Sequence, residues 1–296
     1  MNYFHGLGAW LVAVLLFLWV DLGFSQSSSL RVGFLNGYNL FDTINQPDLL
    51  DGDFTPRGRY RWTSQKYWQK ISRLSDKLLS MRLDLFGMCE VENRSVVEDL
   101  VATMGRDYHI IHYESSDLRG IDLALGYDPS RVEVLESGLI EAPESTSGVR
   151  RESLYCRVRF SEGEVCHFIL VHLPSRSGGR RARLDREFIL ADLSRRILSF
   201  GSEPLVLMGD FNSTELVEVP SLVNIMGDLY RRGMGSYSYY GVWSLLDQVL
   251  VSASLRDRVS TPVLHGERKG LHRGGGSSSS SGVASDHAGV SFVINY

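Results

Sequence analysis

The chain has 296 residues, of which 43% are hydrophobic and 22% charged, and its formal net charge is −4. This is ordinary globular composition with material for one large core. The slightly acidic balance excludes nucleic-acid binding through bulk positive potential, while a local basic groove stays open.

In chain order, the first feature is the run Leu11 to Val20, almost wholly apolar and followed by Gly23-Phe24-Ser25-Gln26. That small-x-small pattern suits signal peptidase, so residues 1–25 read as an export signal cleaved after Ser25 and residues 26–296 as one domain. No Lys or Arg precedes the apolar run, so an uncleaved membrane anchor is the alternative reading. Either way the remainder is expected to be exported.

Val32 to Leu35 reads as a buried strand ending at Asn36, and the Asp-, Gly-, Arg- and Pro-rich stretch from Asp48 to Thr63 as a loop. From Ser64 to Ser80, Tyr67, Ile71, Leu74 and Leu78 recur at helical spacing. Leu83 to Val91 is a strand that delivers Glu90 at its end. Further strands are expected at Asp122 to Tyr127, Ser153 to Phe160, Val165 to His172, Leu205 to Gly209, Leu245 to Ser252 and Gly289 to Ile294. A second helix spans about Arg180 to Phe200, with Leu184, Phe188, Ala191 and Leu198 on its apolar face. Gly274 to Gly282 is a Gly/Ser run read as a loop within the domain. Strands outnumber helices and hairpins recur, which favours an α/β (α+β) sandwich of two packed mixed β-sheets flanked by helices.

Cys89, Cys156 and Cys166 have no paired Cys or His spacing, so they read as free buried thiols. A symmetric turn at Ser161 to Glu164 would set Cys166 opposite Arg159 and Cys156 opposite Ile169.

Polar clusters fall at the strand ends: Asn36 in FLNGYNLFD, Glu90 in GMCEVEN, His172 in VHLPSR, Asp210 and Asn212 in MGDFNS, Asp247 in LLDQVLVS, and Asp286 and His287 in ASDH. Taken singly, Asn36, Asp210 and Asn212 suit turns, and His172 suits a core position. Glu92 competes with Glu90 as the functional glutamate.

Together and in this order, the motifs resemble the endonuclease/exonuclease/phosphatase superfamily over about Arg31 to Tyr296. The resemblance implies a four-layer sandwich and a divalent-metal-dependent phosphoesterase. Mg²⁺, with Mn²⁺ or Ca²⁺ as alternatives, would be held by Glu90 with Asn36 and Asp286 close by. It further implies that Asp210 aligns or deprotonates the attacking water, Asn212 binds the phosphate, His172 serves the leaving group, and His287, oriented by Asp247, donates to the non-bridging oxygen or helps activate the water. Arg119 falls where relatives place a substrate contact.

Phosphodiester hydrolysis needs a stabilised anionic transition state, an in-line water and support for a poor leaving group, and these residue types supply each. Arg176 and Arg180, with Arg181 and Arg183, form a basic cluster after His172 that suits phosphate. Arg57, Arg59 and Arg61, interleaved with Tyr60 and Trp62, read either as a nucleic-acid groove or as packing. The expected partner is nucleic acid or another phosphodiester, bound by a monomer with no obligate protein partner. The leading expectation is an exported metal-dependent endonuclease on DNA or RNA; the alternatives are a sphingomyelinase- or inositol-phosphatase-like phosphoesterase and a non-catalytic secreted binding protein on this fold.

Overall fold

The computed structural model describes residues 29–143, 145, 151–266 and 283–296. Residues 1–25, read above as an export signal, and the Gly274 to Gly282 run lie outside the described residues. The strands are β1 (Ser29–Leu40), β2 (Leu85–Val91), β3 (His109–His112), β4 (Asp122–Tyr127), β5 (Val132–Ile140), β6 (Ser153–Phe160), β7 (Val165–His172) and β8 (Leu205–Asp210). They continue with β9 (Leu222–Asn224), β10 (Tyr237–Tyr239), β11 (Val242–Ser244), β12 (Asp247–Ser252), β13 (Val263–His265) and β14 (Gly289–Asn295). The helices are α1 (Ser64–Met81), α2 (Arg94–Met104), α3 (Gly179–Ser199) and the short α4 (Gly227–Arg231).

Two six-stranded sheets run in the orders β13-β14-β1-β2-β4-β3 and β5-β6-β7-β8-β12-β9. Each is mixed, with one parallel pair at its centre, β1 with β2 and β7 with β8. Central strands are buried on both faces and therefore read as apolar runs without alternation. Phe34, Leu125, Phe168, Leu170, Met208 and Phe292 fill the space between the sheets. On the outer face of the first sheet, Ile71, Leu74 and Leu78 of α1 and Val97 and Leu100 of α2 meet Phe86 and Met88. Ile189, Leu193 and Ile197 of α3 cover Ile169, Val171 and Leu207 of the second sheet. The result is the expected helix, sheet, sheet, helix order.

The helix starts follow capping chemistry. Thr63 accepts from the Lys66 amide ahead of α1, and Asn93 accepts from the Val96 amide ahead of α2. The α3 face departs from expectation: Phe188 is 54% and Leu198 62% exposed, whereas Ala182, Asp185, Ile189, Leu193 and Ile197 are buried. An acid, Asp185, sits in the buried stripe and bonds to Ser145 (2.9 Å), so the hydrophobic residues alone mark the wrong side.

The β6–β7 turn also differs. The Phe160 amide bonds to the Glu164 carbonyl (2.8 Å), which closes the turn over Ser161 to Gly163 with Gly163 at φ +94°, so Cys166 lies opposite Val158 and Cys156 opposite Phe168, one residue off the expected pairing. All three cysteines are free and buried, and burial pushes their thiols up.

Candidate active site

The site begins with an irregularity. Between β1 and β2 the register jumps from Asn36↔Cys89 to Leu40↔Val91, so Gly37, Tyr38 and Asn39 stand opposite Glu90 alone. Tyr38, Asn39 and Glu90 take left-handed backbone (φ 53°, 55° and 57°), which costs roughly 1–2 kcal/mol for an ordinary side chain. The distortion re-aims Glu90. Its Oε1 accepts from Asn36 Nδ2 (3.0 Å) and its Oε2 from the Asn39 amide (2.8 Å), while Asn36 Oδ1 accepts from the Tyr38 amide (2.7 Å).

The second sheet supplies a row across its edge. His172 at the end of β7 pairs in register with Asp210 at the end of β8, and Asp210 with Asp247 at the start of β12. The segment before β14 brings His287 into this row, fixed by Ser285, whose hydroxyl donates to the Asn36 carbonyl (2.7 Å) and accepts from the His287 amide (2.9 Å).

His287 Nδ1 donates to Asp247 Oδ2 at 2.6 Å. Its Nε2 then faces Asp210 Oδ2 at 3.9 Å and Asp286 Oδ1 at 4.0 Å. Burial opposes charge on this imidazole, but Asp247, Asp286 and Asp210 outweigh it and hold the ring toward the protonated form. Asp210 is pushed up to about 7, first by burial and then by Asp247 and Glu90, against His287 and the Asn212 amide. His172 Nε2 lies 3.7 Å from Glu90 Oε1. Burial, Arg119 and His287 hold its imidazole down to about 3, so it is neutral.

The donor set fits a hard divalent cation. Two carboxylates, Glu90 and Asp286, share the site with the Asn36 amide, and burial with Glu90 pushes Asp286 up to about 6. Asp286 Oδ1 is buried without a hydrogen-bond partner among the described residues. Ligand atoms of Asp210, Asp247 and His287 also converge within 4.8 Å. In that group, however, the His287–Asp247 hydrogen bond already occupies Nδ1, so it reads as a proton-handling unit.

The cleft over these groups measures about 530 Å³. Arg119 and Arg176 line it, and Arg180, exposed on the first turn of α3, does not. Arg151, passed over by the sequence reading because it stands outside every motif, lines the cleft from a buried position. It and Arg119 both bond to the buried Asp117. Asp122, at the start of β4, meets His112 at 3.1 Å.

Tyr237 and Tyr239 of the β10–β11 hairpin form another wall, and Tyr237 bridges to His287. Asn212 lines the cleft with its Nδ2 donating to the Leu173 carbonyl (2.9 Å). Glu92 is buried away from the cleft, accepting from the Asp42 amide (2.6 Å), which leaves Glu90 as the cleft glutamate. The Arg57 to Trp62 segment is packing at its aromatic core: Trp62 is buried and donates to the Phe41 carbonyl, and Tyr60 lies against Phe54.

A four-layer sandwich with carboxylates, an amide and an Asp–His pair gathered at one edge of its two sheets defines a metal-dependent phosphoesterase scaffold. The chain belongs to the endonuclease/exonuclease/phosphatase family, whose model matches residues 31–265. No curated protein matches the chain.

Among solved structures, TDP2 of D. rerio complexed with single-strand DNA product superposes with a TM-score of 0.64 at 18% identity, covering 91% of this chain and 100% of that one. A family protein from Bacteroides thetaiotaomicron gives 0.64 at 17% identity, covering 91% and 98%. A mannosyl-6-phosphatase from the same organism gives 0.63 at 18%, covering 90% and 99%. At these identities the likeness carries the fold.

Among the described residues, no helix is long and apolar enough to cross a membrane.

Proposed function

We propose that this chain is an exported, Mg²⁺-dependent phosphodiesterase that cleaves nucleic acid internally. The observation that carries the reading is the row His172, Asp210 and His287, backed by the buried Asp247, sharing one cleft with Glu90 and Asp286. A divalent cation held by Glu90 and Asp286, with Asn36 beside them, would polarise a phosphoryl oxygen and stabilise the leaving oxygen.

The chain's own groups supply the rest. Asp210, fixed by the Asn212 amide at 2.8 Å and Asn36 Nδ2 at 3.3 Å, is placed to orient a water and take its proton. The protonated His287 presents Nε2–H to a non-bridging oxygen. His172, neutral and beside Glu90, supports the leaving group. Arg119, Arg151 and Arg176 place guanidinium groups on the cleft wall for phosphate.

Export rests on the apolar run and small-x-small motif at residues 11–26. The DNA product in the TDP2 neighbour supports nucleic acid as the substrate class.

A second reading, hydrolysis of a phosphorylated sugar, is favoured by the paired Arg119 and Arg151 on Asp117, since two anchored guanidiniums suit a compact phosphomonoester dianion. The mannosyl-6-phosphatase neighbour supports it.

Nicking of supercoiled plasmid by the purified chain in Mg²⁺ or Mn²⁺, with chelator, Asp210→Ala and His287→Ala controls, separates these. Metal-dependent nicking lost in both variants supports the nuclease. Intact plasmid with release of phosphate from a sugar phosphate supports the second reading. Inactivity on both leaves a non-catalytic binding role.

A further inference from the structure

Lys70 is a lysine in an unusual place. It lies in α1 on the face turned toward β1, 6% exposed, and forms no ion pair among the described residues. A buried ammonium without a carboxylate partner destabilises a fold unless its protons are all engaged. Here Nζ donates to the main-chain carbonyls of Tyr38 and Asn39, and it sits 4.9 Å from the Tyr38 ring centroid and 5.9 Å from that of Trp62.

Those two carbonyls belong to the consecutive left-handed residues of the β1 bulge. The amides of the same two residues go elsewhere, the Tyr38 N–H to Asn36 Oδ1 and the Asn39 N–H to Glu90 Oε2. The bulge thus has Lys70 on its carbonyls and the Asn36 and Glu90 side chains on its amides. Without a donor at Nζ, the half-buried Tyr38 carbonyl loses its Lys70 partner and the Asn39 carbonyl keeps only the Phe41 amide (3.1 Å), so the left-handed pair loses the contact that spans both residues.

We propose that Lys70 is a positioning residue for the metal carboxylate Glu90, holding the Tyr38 and Asn39 carbonyls so that the Asn39 N–H stays fixed on Oε2. The proposal rests on the reading of Glu90 as a metal ligand. Two effects of the ammonium oppose each other, which makes the direction of change informative. As a positive charge close to a cation site it repels the ion, so its removal by that effect alone would tighten binding. As a clamp it preorganises a ligand, so its removal weakens binding.

The test is calorimetric titration of Mn²⁺ into the purified full chain, its Lys70→Met, Lys70→Arg and Glu90→Gln variants, each with a thermal melt. Lys70→Met keeps the length of the side chain and removes the donor. The expected result is a cooperative melt with Mn²⁺ affinity about tenfold or more below wild type, and partial recovery in Lys70→Arg. Affinity in Lys70→Met equal to or tighter than wild type overturns the proposal.

Wild-type affinity in Glu90→Gln would remove the ligand reading first and the proposal with it, independently of what Lys70→Met shows. Should Lys70→Met fail to melt cooperatively, the Lys70 ¹⁵Nζ resonance of the wild-type chain provides the second measurement. A shift on Mg²⁺ titration that disappears in Glu90→Gln supports the coupling, and an unmoved resonance overturns it.

Discussion

His287 Nδ1 and Asp247 Oδ2 are joined at 2.6 Å inside the protein, with His287 contributed by the segment before β14 and Asp247 by the start of β12 in the other sheet. The bond fixes which ring nitrogen carries the donated proton and turns Nε2 toward Asp210 and Asp286. Asp247→Asn keeps the shape but lets an amide N–H face Nδ1, which favours the other tautomer. The expected outcome is a fall in kcat of about 10²-fold or more, by analogy with the effect of losing the orienting carboxylate in Asp–His pairs, with the melting temperature little changed. A fall confined to KM would instead assign Asp247 to substrate binding.

Arg151 should act through binding. Its guanidinium lines the cleft, is held by Asp117, and has a buried Nε without a hydrogen-bond partner among the described residues. Arg151→Met is expected to raise KM for the cleaved phosphoester about 10-fold or more, the scale of a lost charge-assisted hydrogen bond, with a smaller effect on kcat. Arg180→Ala, exposed outside the cleft, is expected to leave both constants near wild type. Steady-state kinetics of the two variants side by side checks both statements, and an equal loss in each would point to long-range charge attraction.

The two arginines also show where the sequence was legible. Glu90, His172, Asp210, Asp247 and His287 could be found because each sits in a short polar motif at the end of an apolar strand, and strand ends converge at a sandwich edge. Asp247 and Asp210 are register partners, a relation that a strand reading contains once the sheet order is known. Arg151 has no such motif, since it reaches the cleft only because β6 lies beside β7. Lys70 is hidden for another reason. In a helical pattern a lysine reads as surface, and only the bulge opposite Glu90 gives its ammonium carbonyls to hold. Neither α2 nor β5 is among the expected elements: α2 carries an Asn93 cap and a Gly105 stop that could have marked it, whereas β5, half exposed with Glu133, Glu136 and Gly138 in it, carries little periodicity.

The corrected face of α3 has an energetic consequence. Leu193 is 2% exposed against the second sheet, while Leu198, on the same helix five residues later, is 62% exposed. Leu193→Ala should cost about 2–5 kcal/mol through lost burial and the cavity left behind. Leu198→Ala should stay within about 0.5 kcal/mol of wild type, as exposed substitutions do. Urea unfolding of both variants gives the comparison, and similar losses would mean that the outer side of α3 is covered by something else in solution.

Far from the cleft, Glu203 joins Arg157 (2.9 and 2.8 Å) and His167 (2.8 Å), and the His167, Tyr155 and Phe200 rings pack against one another in a three-ring cluster. The Arg157 hydrogen bonds, with help from His167, hold the Glu203 carboxyl down to about 2. A carboxyl depressed in the folded state binds its proton more readily in the unfolded chain. Its contribution is therefore complete above the unfolded value of about 4.3 and lost as pH falls from there toward about 2. His167, held down chiefly by burial, acts in the same direction at higher pH, because the unfolded chain takes up that proton first as pH drops below about 6.5. The Glu203 side chain is 39% exposed, so solvent screening keeps the effect small and salt-dependent. Glu203→Gln should thus be less stable than wild type at neutral pH, and the gap should close between about pH 4.3 and pH 2. Urea midpoints at pH 7, 5 and 3 measure that gap, and one that stays constant across all three would show that Glu203 contributes through packing and neutral hydrogen bonds.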